Sequence, residues 1–167
     1  MSSRYWARPI EGAVLQELRV RDDAGRGCVP YTDEEGGAPL RCCLRPSEAG
    51  EAIALVSYAP LRRWAAAAGV QPGAYDEQGP VFVHAEDCGG PPSGGGGYPF
   101  ARPGVQRTAR RYSARGHILG GRVLTLGEEP VAEIGQALDE AFADPEVALV
   151  HVRAVEFGCF LFEVRRA

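Results

Sequence analysis

The chain has 167 residues, of which 45% are apolar, and this is enough for a domain with a buried core. Its net charge of -4 argues against a protein whose main task is to bind nucleic acid. All 18 basic residues are arginine, and the chain contains neither lysine nor asparagine. Schiff-base catalysis, a lysine-dependent phosphate loop and a triad oriented by asparagine are therefore excluded. The excess of Ala, Gly, Pro and Arg is typical of a GC-rich genome and suggests an actinobacterial source.

The start of the chain gives no indication of export. Arg4, Arg8, Glu11 and Glu17 interrupt the first twenty residues, so we expect neither a signal peptide nor a membrane span. We therefore expect a cytoplasmic protein. In a reducing compartment the five cysteines are expected to be thiols, and their odd number leaves at least one unpaired within a monomer.

The first third of the chain predicts strands separated by a loop. Residues 13–20 alternate in polarity and predict a strand, and the polar, glycine-rich residues 21–37 predict a loop. Residues 51–57 alternate again and predict a second strand. Residues 60–69 contain strong helix formers between an initial proline and a final glycine, which predicts a short helix.

The middle of the chain contains the stretch that joins a buried strand to reactive side chains. Residues 79–84 predict a short strand, and His84 and Cys88 follow at its end. Residues 89–97 contain six glycines and two prolines and predict a surface loop. Residues 107–126 predict two strands joined by a turn at Arg115 and Gly116.

The last third predicts a helix and a hairpin. Residues 131–141 place apolar side chains at helical spacing, which predicts an amphipathic helix of about three turns. Residues 147–153 and 159–164 predict a C-terminal β-hairpin. Together these elements predict an α+β fold: a single domain over residues 1–167, with a mostly antiparallel, curved sheet on which two helices pack.

The hairpin suggests a reactive cysteine. If the two strands pair directly, Arg153 lies opposite Cys159 and His151 lies opposite Leu161. A neighbouring arginine favours the thiolate over the thiol, which would make Cys159 a nucleophile and the most reactive thiol of the chain. The alternative is a buried cysteine beside a surface arginine.

A metal site is an alternative for the histidines and cysteines. His84, Cys88, His151 and Cys159 form a set that zinc would accept, if the two strand ends converge. The spacings are not those of a zinc finger or ribbon, so we expect no metal ligand and no cofactor, with zinc or a disulfide between Cys88 and Cys159 left as alternatives.

Two further groups bear on the predicted pocket. Cys42 and Cys43 are adjacent, and an extended backbone would send their side chains in opposite directions, so at most one is expected to face the pocket. Arg110 and Tyr112 share one face of a predicted strand, where they offer a fork and a phenol to a carboxylate or phosphate. The alternative is a solvated arginine-rich face. The lack of interleaved aromatic residues argues against nucleic acid.

Four stretches resemble a known bacterial family. They are Pro-Leu-Arg-Cys-Cys-Leu at 39–44 with the strand to residue 58, Gly-Pro-Val-Phe-Val-His at 79–84 with Cys88, Arg-Arg-Tyr at 110–112, and Val-His-Val-Arg at 150–153 with Gly-Cys-Phe at 158–160. On these residues the chain resembles the Domain of Unknown Function 1203 family over about residues 39–167. Members typically have a cysteine where this chain has Leu40. The family's name assigns no activity, so the resemblance implies a shared pocket and no particular reaction.

The polar positions that match the family are the predicted site. They are Cys43, His84, Cys88, Arg110, Tyr112, His151, Arg153 and Cys159. We expect His84, His151, Cys159 and Tyr112 to be catalytic, and Arg110, Arg153, Cys43 and Cys88 to bind the substrate. His84, His151 and Cys159 are expected around a common cavity. The predicted function is a small-molecule enzyme, such as a biosynthetic tailoring enzyme with an anionic substrate, and the alternative is a non-catalytic module that binds a small molecule or a partner.

Overall fold

The computed structural model describes residues 4–92 and 98–166, in which it contains three α-helices and nine strands. The chain forms two compact units made of alternating segments. We name the unit made of Pro9–Ala59 and Gln78–Gly95 the thiol unit, and the unit made of Met1–Arg8, Pro60–Glu77 and Gly96–Ala167 the arginine unit. The predicted α+β class with mostly antiparallel strands is confirmed. Within the described ranges no helix has both the length and the apolar character needed to cross a membrane.

The thiol unit contains a five-stranded sheet. Its strands lie in the order β1-β4-β5-β2-β3, and every neighbouring pair is antiparallel except β2 with β5. The strands are β1 (Tyr31–Asp33), β2 (Pro39–Leu40), β3 (Arg45–Pro46), β4 (Glu51–Tyr58) and β5 (Gly79–His84). The predicted strands at 51–57 and 79–84 are confirmed, whereas the predicted loop at 21–37 contains β1. Because β1 to β3 have two or three residues each, their pairing carries no sequence period long enough to recognise.

The strand predicted at residues 13–20 is wrong. Helix α1 (Gly12–Leu18) occupies this position and buries Leu15 and Leu18, which are three residues apart and therefore lie on one side of a helix. Val20, which completed the apparent alternation, is 76% exposed. A run this short fits both periods, so alternation alone could not distinguish a strand from about two turns of amphipathic helix.

The arginine unit contains a four-stranded antiparallel sheet and two helices. The strands lie in the order β7-β6-β8-β9. The elements are α2 (Pro60–Ala68), β6 (Gln106–Ser113), β7 (Ile118–Thr125), α3 (Pro130–Ala143), β8 (Val147–Ala154) and β9 (Phe160–Arg165). The two predicted helices, the strand pair around Arg115 and the C-terminal hairpin are confirmed. The glycine-rich loop predicted at 89–97 lies partly outside the described residues, since its residues 93–97 are not among them.

The core of the arginine unit lies on both faces of its sheet. Helix α3 begins at Pro130 and buries an apolar stripe at helical spacing, which includes Ile134 and Leu138. A second cluster joins Leu61 of α2 to Tyr112 and Leu149 on neighbouring strands. These contacts hold β6 and β8 in place, and those strands carry the polar side chains described below.

The predicted pairing of the C-terminal hairpin is wrong by up to two residues. Arg153 pairs with Phe160 instead of Cys159, and His151 pairs with Glu163 instead of Leu161. The register shifts between Val152 and Arg153, because β9 carries one extra residue there. Such a β-bulge leaves the alternation pattern on each strand visible in the sequence but changes which side chains face each other. His151 consequently faces a carboxylate.

Candidate metal centre and arginine cluster

A turn brings two adjacent cysteines to one point of the thiol unit. Residues 41–44 form a turn between β2 and β3, closed by a hydrogen bond from Leu44 N to Leu40 O of 3.0 Å. Leu44 has a φ of 58°, a left-handed conformation that is uncommon outside glycine. Because the backbone turns and is not extended, the thiols of Cys42 and Cys43 lie 3.9 Å apart. The expectation that only one of them could face the site is therefore wrong.

Parallel pairing brings His84 to the same point. Strands β2 and β5 are parallel, with Leu40 opposite Phe82. Both strands therefore end on the same side of the sheet, so the turn after β2 lies next to His84, the last residue of β5. Cys88 follows four residues later, just before two glycines with φ of 78° and 80° that turn the chain. Two segments distant in sequence thus supply four potential metal ligands.

The four ligand atoms lie close together. The Sγ and imidazole nitrogen atoms of Cys42, Cys43, His84 and Cys88 all lie within 4.8 Å of one another. His84 Nδ1 is 3.3 Å from Cys42 Sγ and 3.7 Å from Cys43 Sγ. Three of these residues are buried, and Cys88 lies at the solvent edge. The cluster therefore has the composition of a Cys3His metal centre.

Each sulfur atom also accepts a hydrogen bond from the backbone. His84 N donates to Cys42 Sγ at 3.2 Å, and the backbone amides of Arg45 and Gly90 donate to Cys43 and Cys88 respectively. Backbone N–H groups that point at sulfur stabilise the thiolate, which is the form that binds metal. The hydrogen bond between the two neighbouring thiols raises the pKa of Cys42 and lowers the pKa of Cys43.

A carboxylate fixes the orientation of the His84 ring. His84 Nε2 donates to Glu51 Oε2 at 2.5 Å, which leaves Nδ1 as the nitrogen that faces the thiols. Glu51 in turn accepts two hydrogen bonds of 2.9 Å from Arg45, and this guanidinium holds the pKa of Glu51 well below its usual range. A histidine that donates its second nitrogen to a carboxylate is the usual arrangement of a metal-ligating imidazole. Glu51 therefore extends the candidate metal centre to residues beyond the four ligands.

Two polar groups are buried on the sheet of the arginine unit. His151 is 1% exposed, and its Nε2 donates to Glu163 Oε2 at 3.0 Å. Burial lowers the pKa of His151. Burial also raises the pKa of Glu163, but the hydrogen bond from His151 and the charge of Arg165 outweigh this and lower it overall. The pair is thus a neutral imidazole and a carboxylate.

Two arginines converge beside this pair. Arg110 Nη1 lies 2.9 Å from Glu77 Oε2, and Arg153 Nη2 lies 3.7 Å from the same oxygen. Arg110 Nη1 also donates to the hydroxyl oxygen of Tyr112 at 3.4 Å, and the Tyr112 ring packs 4.8 Å from that of His151. The predicted proximity of Arg110 and Tyr112 is confirmed, and it has the composition of an anion site.

The predicted site residues are thus divided between two places. Cys43, His84 and Cys88 lie in the thiol unit, whereas Arg110, Tyr112, His151, Arg153 and Cys159 lie in the arginine unit. The common cavity for His84, His151 and Cys159 stays a prediction. All five cysteines lie in described segments and form no disulfide there, with Cys159 and Cys28 partly buried. The sequence interpretation missed four residues as partners in these sites, namely Cys42, Glu51, Glu77 and Glu163.

The fold is that of an α+β protein with a cluster of three cysteines and one histidine in one unit and an arginine pair in the other. Residues 37–166 match the family described as Protein of unknown function (DUF1203), and the chain belongs to that family. The suspected resemblance is confirmed by this match. A comparison with curated proteins found no match, and a comparison with solved structures found none either.

Proposed function

We propose that the chain binds one zinc ion through Cys42, Cys43, His84 and Cys88. The spacing of the ligand atoms supports this most directly. Tetrahedral zinc with ordinary bond lengths places two sulfur ligands about 3.8 Å apart, and a sulfur and a nitrogen about 3.6 Å apart. The corresponding distances are 3.9 Å between the two sulfurs of the turn, and 3.3 and 3.7 Å from these sulfurs to the imidazole.

The ligand set favours zinc over other metals. Three thiolates and one imidazole suit zinc, whereas calcium and magnesium require oxygen ligands. Four protein ligands complete a tetrahedral shell, which is the arrangement of a structural site, since a catalytic zinc keeps one position for water or substrate. We therefore assign the ion a structural role and no step of a reaction.

A structural metal ion would stabilise the part of this sheet that has the shortest strands. Strands β2 and β3 have two residues each, and β2 is joined to β5 at a single paired position. Pairing this short contributes few hydrogen bonds, and beyond it Arg41 N donates to Phe82 O at 2.9 Å and His84 N donates to Cys42 Sγ at 3.2 Å, so a bound ion would add to a small number of links between the turn and β5. Ligands from both segments link them, and the free energy of metal binding adds to the free energy of folding.

Elemental analysis of the purified protein tests this proposal. We expect one zinc per chain, and loss of the metal in Cys42→Ser and Cys88→Ser. Cys28→Ser and Cys159→Ser are matched controls, because they remove cysteines that lie outside the cluster. Substoichiometric metal that is equal in all five proteins would contradict the proposal.

As a second candidate we propose a small-molecule enzyme or binding protein that acts on an anionic ligand in the arginine unit. The convergence of Arg110 and Arg153 on one carboxylate oxygen favours this function. Tyr112 is the candidate acid or base. His151, whose buried ring packs against that of Tyr112, is the candidate group that controls how readily the Tyr112 hydroxyl gives up its proton. Cys159 stays a candidate nucleophile.

The variants Tyr112→Phe and His151→Gln distinguish catalysis from binding. Metabolites suggested by the neighbouring genes serve as test ligands, and each variant is assayed for its affinity for them and for their conversion. Retained affinity with lost conversion supports the enzyme, and equal affinity without any conversion in the wild type supports the binding protein. Unchanged conversion in both variants refutes the catalytic roles.

The cytoplasmic location and the biosynthetic role remain part of this proposal. Five cysteines that form no disulfide in the described residues support a reducing compartment. Fractionation of the native host tests the location, and a substrate class follows if the neighbouring genes belong to a biosynthetic cluster.

A further inference from the structure

The arginine pair of the arginine unit faces fewer negative charges than positive ones. Both guanidinium groups approach a single carboxylate, that of Glu77. The Arg153 side chain is 14% exposed and that of Arg110 is 25% exposed. Removing two cations from water this far is costly unless anions compensate them. Among these three side chains in contact, one carboxylate leaves an excess of one positive charge.

The contacts of Arg153 are also incomplete. Its Nε donates to Gly158 O at 2.9 Å, whereas its Nη2 lies 3.7 Å from Glu77, which is beyond hydrogen-bond length. Burial lowers the pKa of Arg153, and the neighbouring charge of Arg110 lowers it further. The Nη2 group of Arg153 is therefore available to a second oxygen, which the Glu77 side chain does not supply at this distance.

Glu77 is held weakly enough to be displaced. Its side chain is 50% exposed, and it follows the short 3₁₀ helix Gly73–Tyr75. An ion pair this exposed contributes little free energy, because water solvates the carboxylate nearly as well as the arginine does. Tyr112 accepts a hydrogen bond from Arg110, so its own hydroxyl proton remains a donor for an incoming oxygen.

We propose that Glu77 occupies the place of a ligand's anionic group, and that a phosphomonoester displaces it from Arg110 and Arg153. A phosphate dianion supplies the second negative charge and the additional oxygen atoms that the two guanidinium groups require. Glu77 then acts as an internal competitor that keeps the arginines paired when no ligand is bound. The inference rests on the second proposed function and identifies its substrate class; it does not depend on the zinc centre.

Calorimetric titration with inorganic phosphate at constant ionic strength tests the proposal. The variant Glu77→Gln removes the competing charge and is expected to tighten phosphate binding by about two- to fivefold, the range of an exposed ion pair. Arg153→Gln and Arg110→Gln are expected to weaken it at least about tenfold, as for a lost charge-assisted hydrogen bond. Glu156→Gln is the matched control, because Glu156 lies 3.7 Å from Arg107 instead of the arginine pair.

Each outcome separates this proposal from the function on which it rests. If the arginine variants bind more weakly but Glu77→Gln binds like the wild type, Glu77 is not a competitor and the anion site itself stands. If acetate binds as tightly as phosphate, the site takes carboxylates and the phosphomonoester class is wrong. If phosphate binds equally to all variants, it is an adventitious ion only, and both the proposal and the anionic-substrate function are refuted. Arg153→Lys, which keeps the charge but loses the planar fork, replaces Arg153→Gln if thermal unfolding shows that the latter does not fold.

Discussion

Replacement of Glu51 by glutamine isolates the contribution of the carboxylate behind the metal ligand. The variant keeps the size of the side chain but removes the charge that accepts a 2.5 Å hydrogen bond from His84 Nε2. Glu51 also orients the imidazole, because Arg45 donates to both oxygens of Glu51 at 2.9 Å and fixes the position of this carboxylate. Loss of such an outer carboxylate typically lowers metal affinity about 10- to 100-fold. This corresponds to about 1.4 to 2.7 kcal/mol of binding free energy.

Competition with a chromophoric chelator at neutral pH measures this loss. The matched control is Glu48→Gln, which removes an exposed charge three residues away and should leave zinc affinity unchanged. Arg45→Gln removes the support of Glu51 but keeps its hydrogen bond to His84, so we expect a smaller loss than for Glu51→Gln. Equal zinc affinity in Glu51→Gln and Glu48→Gln would contradict this role of Glu51, because its hydrogen bond to His84 would then have no effect on the metal.

Three further predictions concern stability and reactivity. Leu149→Ala should lower the free energy of unfolding by about 2–5 kcal/mol in chemical denaturation, because Leu149 is fully buried in its cluster, and a loss below 1 kcal/mol would contradict this packing. Because burial lowers the pKa of His151, the unfolded chain gains a proton below about pH 6.5 that the folded chain does not bind, so stability should fall from pH 7 to pH 5. His151→Gln should reduce this slope by up to about 1.4 kcal/mol per pH unit, and parallel slopes would count against a neutral buried imidazole. Although Arg153 pairs with Phe160 and not with Cys159, brief alkylation followed by peptide mapping should label Cys159 most strongly in the native protein, because burial raises the pKa of Cys28 and the other three thiols are the proposed zinc ligands. Cys42 should react only after a chelator is added, and labelling confined to Cys28 would place Cys159 in the core.

Local periodicity predicted those elements that are long enough to show one clear period. The apolar spacing of α3 between two prolines and the alternation of β8 each span enough residues for one period to prevail. Helix α1 has only seven residues, and the same apolar positions fit a strand. The extra residue in β9 is equally invisible, because a bulge depends on the partner strand.

The sequence indicated that the candidate metal centre contains histidine and cysteine, but it did not indicate which cysteines belong to it. The sequence indicated His84 and Cys88 as neighbours because they are four residues apart. It could not indicate that Cys42 and Cys43 join them, because their approach depends on a parallel pairing of β2 with β5 at one position. The adjacent cysteines were the available signal, but the left-handed Leu44 that turns the chain after them is a residue for which this conformation is rare.

Cobalt substitution tests the proposed metal centre, because the absorption of Co²⁺ reports both coordination geometry and ligand type. We expect one Co²⁺ per chain in a tetrahedral site, with sulfur-to-metal charge-transfer bands that weaken in Cys43→Ser and are unchanged in Cys159→Ser. Zinc added in equal amount should displace the cobalt, because Co²⁺ loses ligand-field stabilisation when it passes from octahedral water to a tetrahedral site, whereas Zn²⁺ has no such preference to lose. Weak octahedral absorption without charge transfer, equal in the wild type and in both variants, would contradict a metal centre built from these thiols.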